Sequence, residues 1–313
     1  MGVKDLENKI LIGCNDVFAD IYNTLVFGRR YLKEERLDDG STESVYRAED
    51  GSHRNQYRDI LKHYRDQANL QISSFGIENQ SDTDRMMPVR VMNYDAASYL
   101  EQAKAGRKRI APVLTIVLNM SERRWCKEKS LHDLIETDME LLPYIQDYKI
   151  VVYDIAYLEE EVIDRFQSDF KEVALFFRKK RLGGMALDSA KELRHAAEVL
   201  EFLTVYTKDK RYEQMIQEVN VRKEKGEVIN MCWVADQLEN RGIEIGEARG
   251  IEIGKARGIE IGEVRGIDKE LKKIIGIKYK KGKSVRQMAE EMEQSEEKIR
   301  RLMQEMELPE LIK

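Results

Sequence analysis

The chain has 313 residues, of which 42% are hydrophobic and 35% charged, with a formal net charge of −5 and four prolines. That balance excludes global disorder and a bulk basic field for nucleic acid, so any DNA contact must come from local basic patches. Three cysteines, Cys14, Cys126 and Cys232, form no CxxC pair and no even framework, which excludes a disulfide scaffold and argues against a zinc site, so they are expected as small core or surface residues in a reducing compartment.

No stretch approaches the roughly 20 apolar residues that a membrane span needs. Residues Met1–Glu7 carry acids where a secretory leader would be basic and then apolar, so a cytoplasmic protein without membrane contact is expected.

Asn15–Phe27 places Val17, Phe18, Ile21 and Leu25 at helical spacing, which predicts a first helix capped by Asn15. Lys33–His53 is polar and reads as a surface connection. Tyr57–Tyr64 and Leu70–Ile77 then alternate as two strands around a polar turn at Asp66–Asn69. A helix from Val89 to Ala103 follows Pro88. Pro112–Asn119 is a short apolar run of the kind buried in a sheet centre, and Lys149–Ile155 is a further strand. Helices are predicted at Ser130–Leu142 and Glu159–Lys180, and the stretch Ala186–Glu239 reads as helical throughout. The sum is an α/β fold, a mixed sheet flanked by helices, with an all-helical C-terminal tail.

From Arg241 the octapeptides RGIEIGEA, RGIEIGKA and RGIEIGEV repeat in tandem, with glycine at every fourth position. Each glycine costs a helix about 1 kcal/mol, so the repeat reads as a helical spacer that either self-associates or frays. Lys278–Arg286 holds five basic residues. Ser284 with Gln287 predicts a capping box, and Ser295 begins a second short helix, giving a hairpin of the helix-turn-helix kind. The organisation is therefore an α/β domain over 1–180, a helical extension over 181–240, the repeat over 241–268 and the hairpin over 269–313.

The chemistry concentrates in the two paired strands. Alternation puts Glu78 and Gln80 on one face, and a hairpin would carry Asp59 across from Glu78. Two converging carboxylates, with the Asn79 carbonyl, are oxygen donors of the type that Mg²⁺ takes. Arg90 and Tyr94 stand one helical turn apart and could touch a phosphate, or form a salt bridge and a buried ring. The four histidines are scattered, and neither serine nor cysteine has a histidine partner identifiable in sequence.

Phe18–Asn23, Tyr57–Leu61, Gly76–Gln80, Met87–Arg90 and Tyr94–Asp95 resemble segments of the Rpn-type, YhgA-like recombination-promoting nucleases. These are often labelled transposases and are placed in the PD-(D/E)XK superfamily. The resemblance implies a restriction-endonuclease-like core and DNA cleavage that depends on Mg²⁺ or Mn²⁺. In it Asp59 and Glu78 match the metal-binding acids, Gln80 stands in the motif lysine's place, and Asp20 or Asp16 completes the site. Neutral Gln80 offers hydrogen bonds where lysine offers charge; the resemblance tolerates glutamine here, with slow cleavage or with a nearby cation (Arg58, Arg85 or Arg90) as substitute. The alternative is a catalytically inert nucleic-acid-binding or oligomerising protein that keeps the fold.

Overall fold

The computed structural model describes residues 10–47, 53–68, 71–138, 140–184 and 189–309. It divides into two units, Met1–Glu239 and Asn240–Lys313. No helix among the described residues is long and apolar enough to cross a membrane.

The first unit is built on a five-stranded mixed sheet. Its strands are β1 (Leu37–Asp39), β4 (Ile60–Arg65), β5 (Gln71–Gln80), β6 (Val113–Asn119) and β7 (Val151–Asp154), in that spatial order. β1, β4 and β5 pair antiparallel, and β5, β6 and β7 pair parallel. A separate ribbon pairs β2 (Glu43–Arg47) with β3 (His53–Tyr57). β1 and β2 therefore fall in the segment expected to be a surface connection. Asn69 and Leu70, expected in the hairpin turn and opening its second strand, lie outside the described residues.

Helices cover both faces of the sheet. On one side α1 (Ile10–Gly13) and α2 (Asn15–Tyr22) bury Leu11, Phe18, Ile21 and Tyr22 against Phe75, Ile77, Ile116 and Leu118. The Tyr22 hydroxyl donates to the carbonyl oxygens of Gly76 at 2.6 Å and Leu114 at 2.9 Å, which pins α2 across the strands. On the other side α3 (Met87–Lys104) lays Met87 and Val91 on Val117, Trp125 and Ile150.

Several helix boundaries differ from expectation for identifiable reasons. Cys14 caps α2, because the Asn15 amide is drawn away to the carbonyls of Glu34 and Leu37. Among the described residues Ser130–Leu142 forms no α-helix, but the short turn His132–Leu134 and the start of a second at Leu142–Tyr144. Asp133 Oδ2 accepts from the Lys129 and Ser130 amides, and the Ser130 hydroxyl accepts from the Asp133 amide, so side chains take up backbone groups that a helix would pair. Pro143 closes the segment, whose Met139 lies outside the described residues.

Glu159–Lys180 is split into α4 (Glu160–Ile163) and α5 (Phe170–Arg181), with the break held by Asp20, as described below. The stretch after 186 comprises α6 (Ala196–Thr207), α7 (Lys210–Glu224) and α8 (Met231–Lys280), with Lys208 and Gly226 in left-handed conformations between them. Ala186 itself lies outside the described residues.

α8 contains the whole octapeptide repeat, and its isoleucines at 243, 245, 251, 253, 259, 261 and 267 are exposed. In the second unit α9 (Val285–Glu291) and α10 (Glu296–Glu305) close a small core of Ile275, Val285, Met288, Ala289, Ile299, Leu302 and Met303. The Ser284–Gln287 capping box is formed, and the Ser295 hydroxyl accepts from the Lys298 amide. Lys278 and Lys283 both pair with Glu291, while Arg300 and Arg301 pair with Glu296 and Asp268, so much of this basic charge is already neutralised.

Candidate metal centre

The site forms where β4 begins and β5 ends. Ile60 is in register with Ile77, so the next pair along the hairpin is Asp59 with Glu78. The backbone N–H of Asp59 donates to Glu78 Oε1 at 3.2 Å, and Asp59 Oδ2 accepts from the Asn79 amide at 2.7 Å. Each acid is thus fixed by the other's strand.

Ile77 faces the core under α2, so alternation turns Glu78 to the opposite side, toward α3. Its strand partner there is Val117, which packs on α3. Glu78 is fully buried, at 0% exposure. Burial, and then the negative charge of Asp59, push its carboxyl up to about 8, although Arg90 and Arg58 act in the other direction. Two close carboxylates in a dry setting with incomplete compensation fit an oxygen-binding divalent cation.

Arg90 is a cationic contact that offsets this charge. Its Nη2 lies 3.4 Å from Glu78 Oε2 and 3.4 Å from the Tyr94 hydroxyl, and its Nη1 donates to Asp84 at 2.9 Å. Arg85 instead pairs with Glu128. Tyr94 is buried, with its ring under the Arg58 guanidinium at 5.4 Å. Gln80 lies on the Glu78 side of β5 and is partly exposed, and its amide makes no hydrogen bond among the described residues.

Behind the acids lies a network that sequence reasoning did not assemble. Arg58 is buried and donates to Asp95 Oδ1 at 2.6 Å. Asp95 also accepts from Thr115 Oγ1 at 2.6 Å and from the Tyr148 hydroxyl at 2.5 Å. These residues come from the hairpin entry, α3, β6 and the segment leading to β7. Gly76 permits the arrangement, since a Cβ there would stand 2.7 Å from Thr115 Oγ1 and 3.0 Å from Arg58 Nη1. The Tyr94–Asp95 dipeptide was the signal available in sequence, but nothing in it names Thr115 or Tyr148 as partners.

Asp20, expected to complete the site, has its carboxylate committed elsewhere. Oδ2 accepts from the Gln167 and Ser168 amides at 2.8 and 2.7 Å and from the Ser168 hydroxyl at 2.7 Å, which holds the turn between α4 and α5. Asp20 lines a cavity of about 590 Å³ with Asp16, Asn23, Arg29, Arg165 and Arg194; Asp59, Glu78 and Gln80 do not line it. Asp16 pairs with His195 and Arg194.

The family model described as "Putative transposase, YhgA-like" matches residues 51–209, half of the chain. Asp59, Glu78, Gln80, Arg90, Tyr94 and Asp95 all fall inside that match, and Asp20 falls outside it. Comparison with curated proteins and with solved structures gave no match.

Proposed function

The chain belongs to the YhgA-like putative transposase family, and from that premise we propose that it is a Mg²⁺-dependent endodeoxyribonuclease of the PD-(D/E)XK type. The observation that carries this reading is the Asp59–Glu78 pair, in which a fully buried carboxyl raised to about 8 sits beside a second acid. Asp59 and Glu78 would hold Mg²⁺, or Mn²⁺ in its place. The ion would supply Lewis-acid charge at a phosphate oxygen and ease deprotonation of an attacking water.

This chain's own residues divide the remaining work. Gln80, on the same face as Glu78, would orient water through its amide. Arg90 would hold Glu78 in place and present charge toward a phosphate, with Tyr94 beside it. The Arg58–Asp95 pair stiffens the strand entry that carries Asp59. Asp20 takes a structural role. The partner is DNA, and the cleavage would serve recombination or mobile-element activity. The exposed isoleucines of the repeat favour self-association of the tail.

One observation favours an inert nucleic-acid-binding protein instead: Arg90 already approaches Glu78, and Gln80 brings no charge of its own. Incubation of supercoiled plasmid with the purified full chain separates the two. Nicking in Mg²⁺ or Mn²⁺ that EDTA abolishes supports the nuclease. DNA binding without cleavage in either metal, on single- or double-stranded substrate, supports the inert reading.

A further inference from the structure

Cys14 and His195 are 181 residues apart in the chain, yet the fold sets Cys14 Sγ 3.6 Å from His195 Nδ1. Cys14 is the cap of α2 and His195 the cap of α6, so both are placed by helix entries. The ring's other nitrogen, Nε2, lies 3.0 Å from both carboxylate oxygens of Asp16. The backbone N–H of His195 donates to Asp169 Oδ2 at 2.6 Å, which fixes the base of the side chain. One donor atom from each of Cys14, Asp16 and His195 can be chosen so that all three lie within 4.8 Å of one another.

The spacing has a chemical meaning. A thiolate sulfur at about 2.3 Å and an imidazole nitrogen at about 2.0–2.1 Å from one tetrahedral ion stand roughly 3.6 Å apart. A histidine that binds metal through one nitrogen characteristically gives its other N–H to a carboxylate, which is the position Asp16 occupies. The bland alternative is a thiol–imidazole hydrogen bond, which the same distance allows.

Charge argues for the ion. The carboxylates of Asp16 and Asp169 both contact His195, and Glu198 lies in the first turn of the helix that His195 caps. Arg194 answers Asp16 at 3.1 Å, but from an exposed position. Glu198, in the first turn of α6, has no hydrogen bond or ion pair among the described residues. The cluster is thus rich in negative charge around a sulfur and a nitrogen, where the oxygen-only pair of Asp59 and Glu78 suits a harder cation.

We propose that Cys14 Sγ and His195 Nδ1 bind a zinc-type divalent transition metal, with Asp16 orienting the imidazole, Glu198 balancing charge, and water filling the open positions. The thiol proton leaves as the metal–sulfur bond forms and is released to solvent. Such an ion would tie the entry of α2 to that of α6.

Titration of the full chain with Co²⁺ tests this, because a thiolate–cobalt bond produces a charge-transfer absorption that oxygen and nitrogen ligands do not. The wild type, Glu78→Ala and the Cys126→Ser/Cys232→Ser double variant should each develop the band at one equivalent. Cys14→Ser and His195→Ala should lack it, and Asp16→Asn should need roughly 10- to 100-fold more cobalt. Circular dichroism of Cys14→Ser checks its fold, and Zn²⁺ should displace the band in the wild type. No band in the wild type, or a band that survives Cys14→Ser, overturns the proposal. Either result leaves the Asp59–Glu78 reading untouched, since plasmid cleavage by Cys14→Ser reads that separately.

Discussion

Arg58 and Asp95 form a 2.6 Å ion pair with both side chains almost wholly excluded from solvent. The pair joins the residue preceding Asp59 to the helix that carries Arg90, and Asp95 is further held by Thr115 and Tyr148. Its geometry therefore sets the distance between the candidate metal centre and the helix behind it.

Removing one partner of this pair leaves a charge buried without compensation. Asp95→Ala is expected to destabilise the first unit by about 3–5 kcal/mol. Denaturant unfolding followed by circular dichroism would read this. A loss below about 1 kcal/mol, within the range of an exposed pair, would show that Arg58 finds another partner.

Glu78 predicts a pH dependence whose sign follows from burial. Its folded carboxyl lies near 8, above the ordinary value of 4.5. Below the ordinary value both states are protonated and the stabilising difference is complete. As pH rises toward about 8 the unfolded chain gives up the proton that the folded chain keeps, so stability falls across that window. The Tm in EDTA should decline from pH about 5 to about 8, and Glu78→Gln should flatten the decline. Equal slopes in both proteins would remove Glu78 as the cause.

Arg90 lowers the Glu78 carboxyl, so Arg90→Gln should raise it further. Under the nuclease reading, the alkaline rise of cleavage rate with pH should shift upward in the variant. A profile that drops in height without moving would assign Arg90 to phosphate contact alone.

Asp20 separates fold from chemistry. Asp20→Ala orphans the Gln167 and Ser168 amides and should cost about 1–3 kcal/mol of stability. At temperatures where the variant is folded, its Mg²⁺ binding should match the wild type. A lost binding heat would return Asp20 to the metal centre.

The placement of Asp59 opposite Glu78, with Gln80 on the Glu78 face, was legible because strand alternation and a short hairpin fix that relation locally, whereas their role as a site came from the family resemblance. The π-turn Asn23–Phe27 after α2, the ribbon of β2 and β3, and the break at 164–169 were not legible. The break depends on Asp20, 147 residues before Gln167, and no local pattern reports that bond. The Arg58–Asp95–Thr115–Tyr148 network is invisible for the same reason: its members meet only when α3 lies across the sheet. The burial of Glu78 was equally hidden, since alternation assigns a face but not what covers it.

The most direct test of the account is calorimetric titration of Mg²⁺ into the metal-free full chain at pH about 8.5, where Glu78 can ionise. The same titration is run on Asp59→Asn and Glu78→Gln. Saturable binding is expected in the wild type, and either substitution should weaken it about tenfold or more, at least 1.4 kcal/mol. Wild-type affinity retained in both variants would contradict the assignment of this pair as the metal centre.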